Sequence, residues 1–180
     1  MLSLGCFFVS IFLKLHKLEG KVIFIIFIHN LKEMLDTQPH ATAEIQGGTI
    51  SGIANFYQTN IGVLVFVEVK GLPQKQGECS GNIFGMHIHE GKSCTGDKTD
   101  PFKNAMMHYN PQQCSHPYHA GDLPPLLESN GYALSVFLTN RFTVREIIGR
   151  TLIIHENVDD FTTQPSGNSG TKIACGVIQK

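Results

Sequence analysis

The sequence predicts an all-β fold, an antiparallel sandwich or barrel, and three observations carry that reading. From Ala41 onward, short runs of alternating or β-branched residues recur along the chain. Loops rich in Gly, Pro, Asn and Asp separate them. Only one stretch, TVREIIGR, reads as a helix.

The elements follow in order. ATAEIQGGTISGIANFYQT alternates apolar and polar residues on both sides of Gly47-Gly48, which predicts a hairpin. GVLVFVEVKGLP is β-branched and aromatic and stops at a Gly and a Pro. IFGMHIHE alternates again, and GYALSVFLT, RTLIIHEN and KIACGVIQ supply three further strands. In TVREIIGR, Thr143 is placed to cap the helix and Gly149 to end it. Residues 91–130 contain no good strand, and so long a loop in a compact domain signals function.

Bulk properties narrow the function classes. The chain has 180 residues, 42% of them apolar, enough for one domain with a core. Lys plus Arg number 14 and Asp plus Glu 15, a balance that argues against binding nucleic acid by phosphate neutralisation. Cys6, Cys79, Cys94, Cys114 and Cys175 contain no C-x-x-C pair. They form two disulfides and one leftover thiol, or remain reduced. Residues 1–36 differ from the rest. Their apolar runs, MLSLGCFFVSIFL and VIFIIFI, are broken by KLHKLEGK, and neither reaches the roughly 18–20 residues that cross a bilayer. This extension is an atypical signal or anchor, an amphipathic membrane-surface segment, or an artefact of a true start at Met34. The first two readings place the protein outside the cytoplasm or on a membrane, the third in the cytoplasm. Residues 37–180 are the folded domain.

Histidine placement is the strongest functional signal. Of nine histidines, five lie between His87 and His119. His87-Ile88-His89 sits on a predicted strand, so both rings share a face about 7 Å apart, at roughly 3.3 Å of rise per residue. His108, His116, His119 and Asp122 fall inside HYNPQQCSHPYHAGD, a loop punctuated by Pro and Gly. Three imidazoles and a carboxylate make a complete tetrahedral zinc set. His155 ends the apolar run TLIIH. With His87, His89 and His108 it gives an all-imidazole set, which suits copper, iron, nickel or zinc. His108 is thus wanted twice, and its two ring nitrogens allow it to bridge two metals.

GMHIHE, Gly91-Lys92-Ser93-Cys94, HYNP, HAGDLP, IIHENVDD and GNSGTKIACGVI, in that order, resemble copper/zinc superoxide dismutase of the bacterial type. The resemblance spans about residues 38–180. It implies a Greek-key β-sandwich or barrel of about eight antiparallel strands with long metal-binding and electrostatic loops. It implies an enzyme that disproportionates superoxide to oxygen and hydrogen peroxide. His87, His89, His108 and His155 correspond to the copper ligands, and His108, His116, His119 and Asp122 to the zinc ligands, with His108 the bridge that releases copper and takes a proton on reduction. Asp159, with Asp160 as the neighbouring alternative, corresponds to the carboxylate linking ligands of the two metals. Cys94 and Cys175 correspond to the family disulfide. Cys79 and Cys114 have no counterpart and are expected to form a second one.

The chain departs from the family pattern in three places. Lys172 stands where an arginine is usual, keeping the charge without the planar fork, so slower but real activity is expected. Residues 157–170 hold no Lys or Arg, leaving electrostatic steering to Lys172. Met106 and Met107 precede His108 where small residues are common, and they either crowd the loop or pack into the core, with packing the expectation. The competing reading is a non-catalytic copper/zinc-binding protein of the same fold. The partner expected is superoxide itself, with no nucleic acid, homodimerisation left open, and membrane contact only through residues 1–36.

Overall fold

The computed structural model describes residues 37–74 and 82–180. The apolar extension and Cys79 lie outside the described residues. The strands are β1 (Ala41–Gly47), β2 (Ile50–Thr59), β3 (Gly62–Lys70), β4 (Ile83–Phe84), β5 (Met86–His89), β6 (Leu126–Leu127), β7 (Tyr132–Thr139), β8 (Thr151–His155) and β9 (Lys172–Gln179). Seven form one curled antiparallel sheet in the order β5-β8-β9-β1-β2-β3-β7, and β4 pairs with β6 in a short second ladder. The order is Greek-key-like. β1, β2 and β3 run as a meander, β7 adds to β3, and β8 and β9 return to the other side of β1.

Local sequence explains the main elements. Gly48 takes φ +55° in the turn, where a residue without Cβ avoids a steric cost, and the β1–β2 register runs from Gly47 opposite Ile50 to Ala41 opposite Phe56. Alternation puts Ala41, Ala43 and Ile45 of β1, Ala54 and Phe56 of β2, and Val63, Val65, Val67 and Val69 of β3 into one core. The predicted helix is shorter than its sequence stretch. Within that stretch the α-helix, α1, spans Val144–Ile147. Its start is fixed because the Glu146 carboxylate accepts the Thr143 N–H at 2.6 Å and the Thr143 hydroxyl at 2.8 Å. Gly149, at φ +83°, ends it. Among the described residues no helix is long and apolar enough to cross a membrane.

Two strands are buried on both faces, and this positions the site. Every residue of β5 and of β8 is buried. On β5, Met86 and Ile88 face the core, so His87 and His89 face away from it. The long loop of residues 91–130 covers them by zipping onto the free edge of β5. Ile88 N–H donates to Gly121 O at 2.9 Å, Tyr109 N–H to Ile88 O at 2.8 Å, and Glu90 N–H to Met107 O at 2.9 Å. The loop thus satisfies an edge strand that would otherwise expose unpaired backbone groups. Cys94 and Cys175 are joined by a disulfide that pins the start of this loop to β9. Cys114 carries a free, exposed thiol among the described residues, and Cys79, its expected disulfide partner, lies outside them. Cys114 sits at the loop surface, where its N–H donates to the Asn110 side chain at 2.9 Å.

Candidate metal centre

Six histidines and two aspartates converge where β5, β8 and the long loop meet. His87, His89, His108 and His155 form one group, and His108, His116, His119 and Asp122 a second. Within each group the candidate ligand atoms all lie within 4.8 Å of one another, and every member is buried. β5 presents His87 and His89. β8 presents His155 at its last position, where the β8–β9 register shifts between Ile154 and His155. His108 enters from the loop, its ring centroid 3.9 Å from that of His87 and 5.5 Å from that of His119.

Outer hydrogen bonds fix the tautomers. A carboxylate or carbonyl oxygen only accepts, so the ring nitrogen facing it carries the proton. His87 Nε2–H donates to Asp159 Oδ2 at 2.6 Å, and His116 Nε2–H to Asp159 Oδ1 at 2.9 Å. His89 Nδ1–H donates to Met106 O at 2.9 Å, and His155 Nδ1–H to Gly170 O at 3.2 Å. The opposite nitrogens are left as lone pairs pointing inward. His87 Nδ1 and His108 Nε2 have no hydrogen-bond partner, and neither does His116 Nδ1, although Asp122 Oδ2 lies 3.1 Å away. Buried polar atoms are almost always paired, so three orphans in one cluster need an explanation.

A cation supplies it. His89 Nε2 and His155 Nε2 stand 3.2 Å apart with lone pairs facing, and His108 Nδ1 and His119 Nδ1 stand 3.4 Å apart. Two nitrogens bound to one ion at about 2.0–2.1 Å adopt such a spacing. Burial lowers the basicity of His87 and His89, the latter strongly, and pushes His155 down to about 3, which keeps these rings neutral and able to ligate. Burial alone would raise the Asp159 carboxyl, but hydrogen bonds from His87, the Phe161 N–H and His116 hold it down at about 2. Asp122, whose Oδ1 lies 2.8 Å from His108 Nδ1 and whose Oδ2 accepts the His119 backbone N–H at 3.0 Å, is likewise held below its ordinary value against the effect of burial. Four imidazoles in one group, and three imidazoles with one carboxylate in the other, are donor sets that fit copper and zinc.

Comparison with known proteins agrees with this geometry. The family model described as copper/zinc superoxide dismutase matches residues 50–178. "Superoxide dismutase [Cu-Zn] 2" of Aquifex aeolicus is 33% identical over 159 residues, covering 80% of this chain and 88% of that protein. "Superoxide dismutase [Cu-Zn]" of Deinococcus radiodurans is 35% identical over 163 residues, covering 79% and 85%. The chain belongs to the copper/zinc superoxide dismutase family. Among solved structures, the clock protein EA4 superposes with a TM-score of 0.66 at 28% identity, covering 79% of this chain and 96% of that one. The copper/zinc superoxide dismutase of Brucella abortus, at 24% identity and TM-score 0.64, covers 77% and 99% and shares the fold.

Within this family frame the remaining residues find their places. Asp159 faces the site, whereas Asp160 is exposed and builds a turn by accepting the N–H groups of Thr162 and Thr163 at 2.8 and 2.7 Å. Lys172 lines a cavity of about 500 Å³ with His89, His108 and His155, and its ammonium lies 2.6 Å from Asp100 Oδ2. Met106 and Met107 do not pack into the core as expected. They are 55% and 52% exposed and line the same cavity. Met106 has φ +63°, which breaks strand-like alternation and lets both side chains face one side while the Met106 carbonyl turns to His89.

Three supporting residues escape sequence reasoning. Gln164 clamps His116 by accepting its N–H at 3.0 Å and donating to its carbonyl at 2.7 Å. Arg141 Nη1 donates to the carbonyls of Pro117, His119 and Asp122 at 3.0, 3.3 and 3.2 Å. Gly167, at φ +66°, lies so close to Asp159 and His116 that a Cβ there would collide with both. These partners are backbone atoms or groups brought together only by folding. The one advance signal was the Gly and Pro content of the loop.

Proposed function

We propose that this protein disproportionates superoxide, taking two superoxide anions and two protons to one oxygen and one hydrogen peroxide. The observation that carries the reading is His108, whose Nδ1 belongs to the three-histidine, one-carboxylate group while its unpartnered Nε2 points into the four-histidine group. His87, His89, His108 and His155 hold copper, and His108, His116, His119 and Asp122 hold zinc. Bound copper supplies one-electron redox chemistry between Cu(II) and Cu(I), and zinc supplies a fixed positive charge. The chain does the rest. Asp159 orients His87 and His116 together, so the two groups keep one spacing. His108 Nε2 takes up one proton and delivers it to the departing peroxide, while Nδ1 stays held on the Asp122 side. Lys172 attracts the anionic substrate into the cavity above His89 and His155.

The test is superoxide decay catalysed by the full chain loaded with both metals, beside His155→Ala, with metal content measured on the same samples. Turnover in the wild type that falls at least 100-fold in the variant, with zinc retained, is expected. One specific observation favours the non-catalytic metal-binding reading, namely that Asp100 already neutralises Lys172. Both metals bound, with no decay faster than with free copper, would establish that reading instead.

A further inference from the structure

We propose that Asp100 is a positioning residue that sets how strongly the cavity attracts anions, by holding the Lys172 ammonium in an ion pair at the cavity mouth. The inference rests on the dismutase reading for its consequence, but its geometry stands alone. Lys172 Nζ donates to Asp100 Oδ2 at 2.6 Å. The Lys172 side chain is only 15% exposed and that of Asp100 35%, so solvent screens the pair less than a surface salt bridge. Both residues line the cavity that reaches His89, His108 and His155, and apart from its imidazoles no other lining residue carries an ionisable group. Its side chains therefore present a dipole with no net charge, so the ion pair adds nothing to the positive charge that bound metal would supply. A net charge guides an approaching anion from a distance, whereas a dipole field dies away faster.

The placement of Asp100 is built into the loop. Its Oδ1 accepts the Phe102 N–H at 3.0 Å, and its carbonyl accepts the N–H groups of Asp97 and Lys103 at 3.0 and 3.1 Å. Cys94 ties the start of this loop segment to Cys175 on β9, the strand that begins at Lys172. Acid and base thus sit on two segments held together covalently, and the pair forms without help from ligand. A small anion entering the cavity competes with Asp100 for the same ammonium. The arrangement lowers the capture rate for superoxide and, equally, the affinity for inert anions of the same charge.

The experiment uses the full chain with both metals bound, as wild type, Asp100→Asn and Asp100→Glu. Azide affinity is read from the optical spectrum of the copper, and kcat/KM for superoxide is followed against ionic strength. In Asp100→Asn, azide binds about 5-fold more tightly and kcat/KM rises about 3- to 10-fold at low salt, with a steeper fall as salt is added. Asp100→Glu stays near wild type, which a merely structural loss of the loop turn would not give. Unchanged or weaker azide binding in a metal-replete Asp100→Asn protein overturns the proposal. Should that variant lose its metals, Lys172→Gln decides instead, since a neutralised ammonium predicts azide affinity within about 2-fold of wild type and a fall of about 5-fold or more contradicts it. Absence of dismutation in a wild type that binds both metals would remove the functional reading, while the azide comparison would still judge the ion pair.

Discussion

Asp159 joins His87, a member of the four-histidine group alone, to His116, a member of the second group alone, with one carboxylate oxygen on each. Replacing it by Asn removes the charge that fixes both tautomers while leaving the shape. Affinity for zinc and copper is expected to fall about 10- to 100-fold in chelator competition, with the fold retained by circular dichroism. Arg141 acts from outside by gathering three carbonyls of the loop that carries His116, His119 and Asp122. Arg141→Gln is expected to cost about 1–3 kcal/mol in urea unfolding of the metal-free protein, because charged donors to carbonyls contribute on that scale. At this scale the ligands were legible because each lies in a short run with its own spacing: H-x-H on a strand, and three histidines with an aspartate in one loop. Arg141, Gln164 and Asp100 were not, because an isolated polar residue says nothing about which distant carbonyl or ammonium folding will bring to it.

The long loop is the element that converts a plain barrel into a metal centre. It covers β5, supplies His108, His116, His119 and Asp122, and carries Asp100 to Lys172. Its anchor closes a sequence separation of 81 residues between Cys94 and Cys175. Chain-entropy arguments give about 4 kcal/mol for a loop of that size, so Cys94→Ala/Cys175→Ala is expected to lower unfolding free energy by up to that amount. Equilibrium denaturation of the metal-free variant checks it. The long strands β1, β2, β3, β7 and β9 were readable because alternation or β-branched content persists over seven to ten residues. β4 and β6, at two residues each, are too short to carry a period. α1 shrank to four residues because its capping box fixes the start while Gly149 ends it almost at once. Met106 and Met107 misled because apolar character predicts burial, whereas a left-handed backbone at Met106 turns both toward the cavity.

For the whole domain, burying so many imidazoles makes stability depend on pH. His87, His89 and His155 have lowered proton affinity in the folded protein, His155 to about 3, against about 6.5 when unfolded. Their protonation therefore favours the unfolded chain. Full stability holds above pH 6.5 and is lost as pH falls toward 3. Asp159, at about 2 when folded and near 3.9 when unfolded, adds a further loss in the same direction between those values. Urea midpoints of the metal-free protein are expected to decline steadily from pH 6.5 to pH 3, and a flat profile over that range would contradict neutral buried rings. With metals bound, the decline is expected to begin at lower pH, because ligated lone pairs do not take protons.

All of this depends on one claim, that two ligand groups share His108 and hold two different metals. Anomalous X-ray scattering at the copper and zinc edges, on crystals of the protein loaded with both, tests it most directly. The account predicts copper among His87, His89 and His155, zinc among His116, His119 and Asp122, and the His108 ring between them. A single metal position, or both elements mixed at both positions with His108 turned away, would contradict it.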